Sequence, residues 1–165
     1  MNGLPWAPLC AATLHIFEEF VWPGGFAAWY RRYKPERAKS ITPRFLVIIN
    51  VLFLILCYDA GVARSRPFGA ALWLTVAALL AGNAVWHLIG AVKTRSYSPG
   101  LVSGLLLYIP LAVVGYIQLL RSGTAAIGTA VLAAVLGGSY HWWSAAFHGV
   151  HKLPALDGVR AAETA

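Results

Sequence analysis

Polar residues are sparse along this chain and fall in bands. Between the bands run five stretches that are apolar almost without interruption: Leu4 to Trp22, Phe45 to Ala63, Gly69 to Val92, Leu101 to Leu120 and Thr124 to Phe147. Each comes near the ~20 residues that an α-helix needs to cross the hydrocarbon of a bilayer. The pattern predicts an all-α, polytopic membrane helix bundle with five transmembrane helices. No linker, repeat or low-complexity block separates domains, so residues 1–152 are expected to form one membrane-embedded domain and 153–165 a mobile cytoplasmic tail. The longest connector, Pro23 to Arg44, reads as an interfacial loop with Trp29, Tyr30 and Tyr33 at headgroup level. The opening Met1-Asn2-Gly3 carries no basic residue and no small-residue cleavage site follows the first run, so that span is expected to persist in the mature protein.

Composition agrees with the pattern: 59% of residues are hydrophobic and only 12% charged, far from the balance of a soluble domain. Charge then orients the bundle. The excess of 13 Lys and Arg over 6 acids would suit nucleic acid, but no nucleic-acid motif accompanies it and its placement follows the spans. Arg31, Arg32, Lys34, Arg37, Lys39 and Arg44 follow the first span, Lys93 and Arg95 the third, and Lys152 and Arg160 the fifth. Basic residues mark the cytoplasmic side, which puts the amino terminus out and the carboxyl terminus in. Cys10 and Cys57 lie inside predicted spans without any metal-ligand spacing and are expected to pack in the core.

Against this apolar background Glu18 and Glu19 stand out, two of six acids placed side by side at the end of the first run. An ionised side chain in the membrane costs about 3 kcal/mol on insertion scales. A negative charge near the carboxyl end of a helix also opposes the helix dipole. Something has to compensate them: a raised pKa, a cationic partner or a metal ion. His15 lies at i−3 and i−4 from the pair, on the same helix face. Asn83 and His87 repeat the i, i+4 relation on the third span, and His141 and His148 lie two turns apart on the fifth. Counting back from the cytoplasmic ends at ~1.5 Å per residue, His15 and His87 both sit about 10 Å deep. Arg31 or Arg32 folding back onto the two acids would compensate them, but would leave His15, Asn83 and His87 at the same depth unexplained. For His141, His148 and His151, an interfacial position beside Trp142 and Trp143 accounts for them as well as a site does.

Three strings carry a family resemblance. His15-Ile16-Phe17-Glu18-Glu19 is an HxxEE string, Asn83-Ala84-Val85-Trp86-His87 is an NxxxH string, and Arg95-Ser96-Tyr97-Ser98-Pro99-Gly100 is a basic-x-Tyr-Ser-Pro-Gly turn leading into the fourth span. In this order, from about Leu9 to Gly115, they resemble the HXXEE domain family of small bacterial integral membrane proteins. The resemblance implies a multi-pass protein of a bacterial cell membrane with its site at these strings, and it carries no reaction.

The chemistry follows from the constellation. Imidazoles and carboxylates projecting from the helices of a bundle are ligands suited to iron, manganese or zinc. The reading is a metal-dependent enzyme, an oxidoreductase or hydrolase of membrane lipids, with His15, Glu18, Glu19, His87 and His148 as metal ligands. His15, Glu18, Glu19 and His87 form the catalytic set, and Asn83, Tyr97, Tyr108 and His141 contact substrate. Iron or manganese is favoured over zinc by the carboxylates. A site below the cytoplasmic surface is reached sideways by an acyl or isoprenoid chain, so the partners are membrane lipids and a hydrophobic small molecule, and not nucleic acid. Two other readings stand beside it: a metal-free isomerase or cyclase using the Glu18/Glu19 pair as acid and base, and a proton- or cation-coupled transporter.

Overall fold

The computed structural model describes residues 4–143. A 3-10 turn, Leu4–Trp6, leads into α1 (Ala7–Phe20), whose first turn holds Pro8, where the missing N–H costs no helical hydrogen bond. Gly24 and Gly25, both at positive φ, then turn the chain back into α2 (Phe26–Tyr33). The long helix α3 (Pro43–Val62) is capped by Thr42, whose hydroxyl accepts from the Phe45 N–H at 3.1 Å. It is followed by α4 (Gly69–Thr94), by α5 (Leu101–Arg121) and by α6 (Ile127–Gly138). Within α5 the segment Gly104–Tyr108 is a π-helical turn, closed by the Ile109 N–H on the Gly104 carbonyl. It ends two residues before Pro110, whose ring would crowd a regular preceding turn, and so it takes up the irregularity that Pro110 imposes.

The central element is α4, against which α1, α3, α5 and α6 all pack. Its buried face of Leu74, Val76, Ala77, Leu80 and Ala84 meets Ala12 from α1, Cys57 and Ala60 from α3, Tyr108 and Ala112 from α5, and Ala130 and Ala133 from α6. Small residues dominate the contacts, as they do where helices associate without a hydrophobic driving force between them. The outward faces are apolar too. Val47, Ile48, Val51 and Ile55 on α3, Val113 and Ile117 on α5, and Val131, Leu132, Val135 and Leu136 on α6 are all exposed. Apolar surface on this scale is normal against lipid and untenable in water.

The fold is therefore an all-α, multi-span membrane-helix bundle, and three of its helices are long and apolar enough to cross a membrane: Pro43–Ser65, Gly69–Thr94 and Leu101–Arg121. The other two expected spans are not helices of that length among the described residues. α1 has 14 residues, because the run continues through Val21 and Trp22 after the helix has ended. α6 has 12 residues and is followed by one further helical turn over 140–143, while residues 144–147 of the expected span lie outside the described part. His148, His151, Lys152, Arg160 and the expected tail also lie outside it. The connector from Pro23 to Arg44 differs from an interfacial loop: it contains α2 and a 3-10 turn, Pro35–Arg37, and its Trp29 is buried in protein. The Trp29 indole lies against Gly90 of α4, where any Cβ would collide with the ring, and donates to the Thr94 hydroxyl at 3.3 Å. Cys57 is buried as expected, whereas Cys10 is exposed on the outer face of α1.

Candidate metal centre

The carboxyl ends of α1 and α4 and the amino end of α5 meet at one level, and the polar residues meet with them. α1 contributes His15, Glu18 and Glu19; α4 contributes Asn83 and His87; the turn at 95–100 contributes Tyr97 and Ser98; and α5 contributes Ser103 and Tyr108. His15 and His87 are each 1% exposed, Glu19 6% and Glu18 8%. Gly100 makes the convergence possible. It turns the chain at φ 97°, and a Cβ there would stand 2.7 Å from His15 Cε1 and 2.8 Å from His87 Cε1. Only a glycine backbone fits against both rings.

His15, Glu19 and His87 form one buried group whose ligand atoms all lie within 4.8 Å of one another. Glu19 Oε1 is 3.2 Å from His87 Nε2 and 3.6 Å from His15 Nε2. The outer nitrogen of each ring is held by a serine: His15 Nδ1 pairs with Ser103 Oγ at 2.9 Å, and His87 Nδ1 with Ser98 Oγ at 2.8 Å. Ser103 Oγ in turn donates to the Gly100 carbonyl, a long contact at 3.4 Å, which leaves it to accept from the His15 Nδ1–H. His15 Nε2 is then the lone-pair nitrogen, and the Asn83 amide donates to it at 3.0 Å. His87 Nε2 is buried and without a hydrogen-bond partner although Glu19 Oε1 is 3.2 Å away. The distance is short, but the ring nitrogen is not aligned with the carboxylate, so closeness here is not a hydrogen bond.

These positions fit a transition-metal ion. Two donors each about 2.1 Å from one ion lie about 3.0 to 3.5 Å apart, which brackets the Glu19 Oε1–His87 Nε2 distance and falls just short of the distance to His15. Both imidazoles turn Nε2 inward with Nδ1 fixed by a hydroxyl, the arrangement by which ligating histidines are usually oriented. A buried His/His/Glu cluster suitable for metal binding, inside a membrane-embedded helical bundle, is consistent with a metal-dependent membrane enzyme.

Glu18 lies apart from this group. Its Oε1 accepts from the Gly100 N–H at 3.1 Å and the Val102 N–H at 3.0 Å, and its Oε2 accepts from the Ser103 N–H at 2.6 Å. The Tyr97 hydroxyl is a fourth donor, again to Oε1. Four protein donors thus surround the Glu18 carboxylate. Its charge sits at the carboxyl end of its own helix but at the amino end of α5, where the free N–H groups and the dipole favour an anion. Partial burial, and then the Glu18 carboxylate, push the Tyr97 phenol upward, so it remains a donor at neutral pH.

A cavity of about 620 Å³ adjoins the cluster. His15, Glu19, Asn83 and His141 face it, together with an apolar wall from α3 and the aromatic rings of Tyr30 and Trp86. Phe45 and Leu52 line it and are themselves exposed, so it is continuous with the outer surface along α3. His141 stacks on Trp86 with ring centroids 6.0 Å apart, and its Nε2 is a second buried nitrogen without a hydrogen-bond partner among the described residues. Of the four residues expected to contact substrate, Asn83 and His141 line this cavity and Tyr97 and Tyr108 do not. The Tyr97 hydroxyl is engaged by Glu18, and Tyr108 is fully buried, stacked on His15 with centroids 4.6 Å apart. His148, the fifth ligand expected from sequence, lies outside the described residues. Sequence reasoning passed over Ser98, Ser103 and Gly100 as functional positions; two of them stood inside the quoted Tyr-Ser-Pro-Gly string.

The model of a family described as "protein of unknown function with HXXEE motif" matches residues 6–115, a stretch that holds every ligand of the cluster. No curated protein and no solved structure matches the chain.

Proposed function

The chain belongs to the HXXEE family, and we propose that it is a membrane-embedded, metal-dependent enzyme acting on a lipid or isoprenoid-like substrate. One observation carries the reading. The ring nitrogens of two buried imidazoles and a buried carboxylate oxygen gather within 4.8 Å of one another, and His87 Nε2 has no hydrogen-bond partner among the described residues. A buried polar atom left without a partner in a dry site is costly, and a bound cation would satisfy it together with the carboxylate.

His15, Glu19 and His87 hold the ion, and Asn83 and His141 orient the substrate from the cavity wall. A two-histidine, one-carboxylate set with open positions serves both non-haem iron oxidation and zinc hydrolysis; the ion would supply redox chemistry in one case and an activated water in the other. The iron or manganese alternative, with oxidation or desaturation of the chain, is our preferred one because the site opens onto an apolar cavity. We also retain the five-crossing topology with amino terminus out and carboxyl terminus in, α1 and α6 supplying the short crossings. Its support is that the basic connector, Lys93 and Arg95 lie at the same ends of α1, α3, α4 and α5 as the cluster does.

Metal analysis tests the reading. Protein purified in detergent without chelator is expected to hold stoichiometric transition metal, and His15→Ala and Glu19→Gln to hold none. Folded wild type without metal would overturn it. Glu19 Oε1 also stands between two imidazole nitrogens, 3.2 Å from one and 3.6 Å from the other, which favours a metal-free acid–base isomerase as the second reading. Turnover that survives exhaustive chelation would select that one.

A further inference from the structure

A second cavity, of about 490 Å³, opens beside the first and is lined by Arg32, Tyr33, Lys34, Lys93, Thr94 and Ser96. Tyr33, Lys34 and Lys93 line both, so the two adjoin. Their linings differ. The larger one is lined mainly by apolar α3 side chains and aromatic rings, with Lys34, Arg37, Lys93 and Glu19 among them; the smaller one has three cations among six residues and no carboxylate among its described lining residues. The Ser96 hydroxyl donates to Thr94 and the Thr94 hydroxyl to the Gly90 carbonyl, so the attraction for an anion rests with Arg32, Lys34 and Lys93. Lys34 is already positioned, its ammonium 4.9 Å from the centre of the Tyr33 ring. No ion pair joins any of the three to a carboxylate among the described residues.

The geometry points to a single bipartite site for an amphiphile with a phosphate head and one apolar chain. Three cations around one small pocket suit a head of more than one negative charge, and point charges on lysines bind phosphate without demanding a fixed fork. The chain then runs from Tyr33 along Trp86 toward Asn83 and Glu19. Lys93 and His87 are six residues apart on α4, about 9 Å along its axis, so the part of the substrate presented to the cluster is the body of the chain and not the head. That last step rests on the cluster being the reacting centre; the binding itself does not.

The test is equilibrium binding of a monoacyl phosphate lipid, its choline ester and inorganic phosphate to the purified protein in a neutral detergent. Wild type is expected to prefer the phosphate lipid over the choline ester by about tenfold, given the usual strength of basic residues toward anionic headgroups. The double variant Lys34→Gln, Lys93→Gln is expected to lose most of that preference. Filling the apolar cavity with Ile49→Trp, or with Leu46→Trp should the first not fold, is expected to weaken both lipids alike. Inorganic phosphate should not compete. Equal affinity of wild type for the two lipids, preference retained in the double variant, or phosphate competing as well as the lipid would each overturn the proposal. Metal content of the same wild-type sample separates the two readings: preference without metal removes the metal centre alone, and metal without preference removes the bipartite site alone.

Discussion

Glu18 and Glu19 are neighbours in the chain and opposites in their surroundings. The joint that Glu18 makes between α1 and α5 is saturated: three backbone N–H groups and one phenol converge on its carboxylate. The centre that Glu19 makes between α1 and α4 is under-satisfied, with an orphaned ring nitrogen 3.2 Å away. Both carboxylates are buried, so burial does not separate them. A buried polar group whose partners all belong to the protein is a fastener, and one whose partners are missing marks where something else binds. The family's motif joins the two kinds in one word, His15 and Glu19 for the centre and Glu18 for the fastening that brings α5, with Ser103, up to His15.

The change that breaks both regions at once is Gly100→Ala. It places a methyl group against both imidazoles at a left-handed φ, and is expected to cost on the order of 4 kcal/mol and the metal with it, read by thermal unfolding in detergent and by metal content. Glu18→Ala separates the regions: it orphans three N–H groups and should cost about 3 kcal/mol, whereas Glu19→Gln removes the metal with little loss of stability in the metal-free protein. Equal destabilisation by the two would erase the distinction drawn between them. Ser98→Ala frees the outer nitrogen of His87 and is expected to weaken metal affinity about 10- to 100-fold while leaving the helix joint intact, measured by competition with a chelator. Tyr97→Phe is the mildest, about 1 kcal/mol of stability with metal affinity unchanged, because Glu18 keeps its three backbone donors.

How much of this could be read from the residues depended on whether one helix or two decided the matter. His15 with Glu19, and Asn83 with His87, share faces by spacing within single helices, and the topology put both pairs at one depth; the structure brings them together. Glu18 was harder. At i+3 and i+4 from His15 the two acids flank the imidazole equally, and only the position of α5, which no local pattern encodes, sends one of them to a helix amino terminus. Ser98 stood inside the Tyr-Ser-Pro-Gly string, which does not say what its hydroxyl meets, and Ser103 carried no signal beyond its type, since hydroxyls are common in membrane helices for other reasons. Trp29 misled because aromatic residues among arginines describe a headgroup anchor and a helix packed over Gly90 equally well. The length of α1 was overstated because an apolar run does not show where the helix inside it stops.

The π-helical turn at Gly104–Tyr108 sets the reading frame of the fourth apolar run. Ser103 and Tyr108 are five residues apart, which in a regular α-helix would put them about 140° apart around the axis. Both nevertheless reach His15, one by a hydrogen bond to Nδ1 and the other by stacking on its ring. The wider turn brings them round to one side. This helix therefore counts residues as well as choosing them. Loss of a single lipid-facing leucine, Leu105 or Leu106, would set Ser103 and Tyr108 four positions apart, about 40° around a regular α-helix, and so be absorbed by closing the wide turn. One added residue, by contrast, would leave composition and hydropathy almost untouched and unscrew Tyr108 from the histidine it covers.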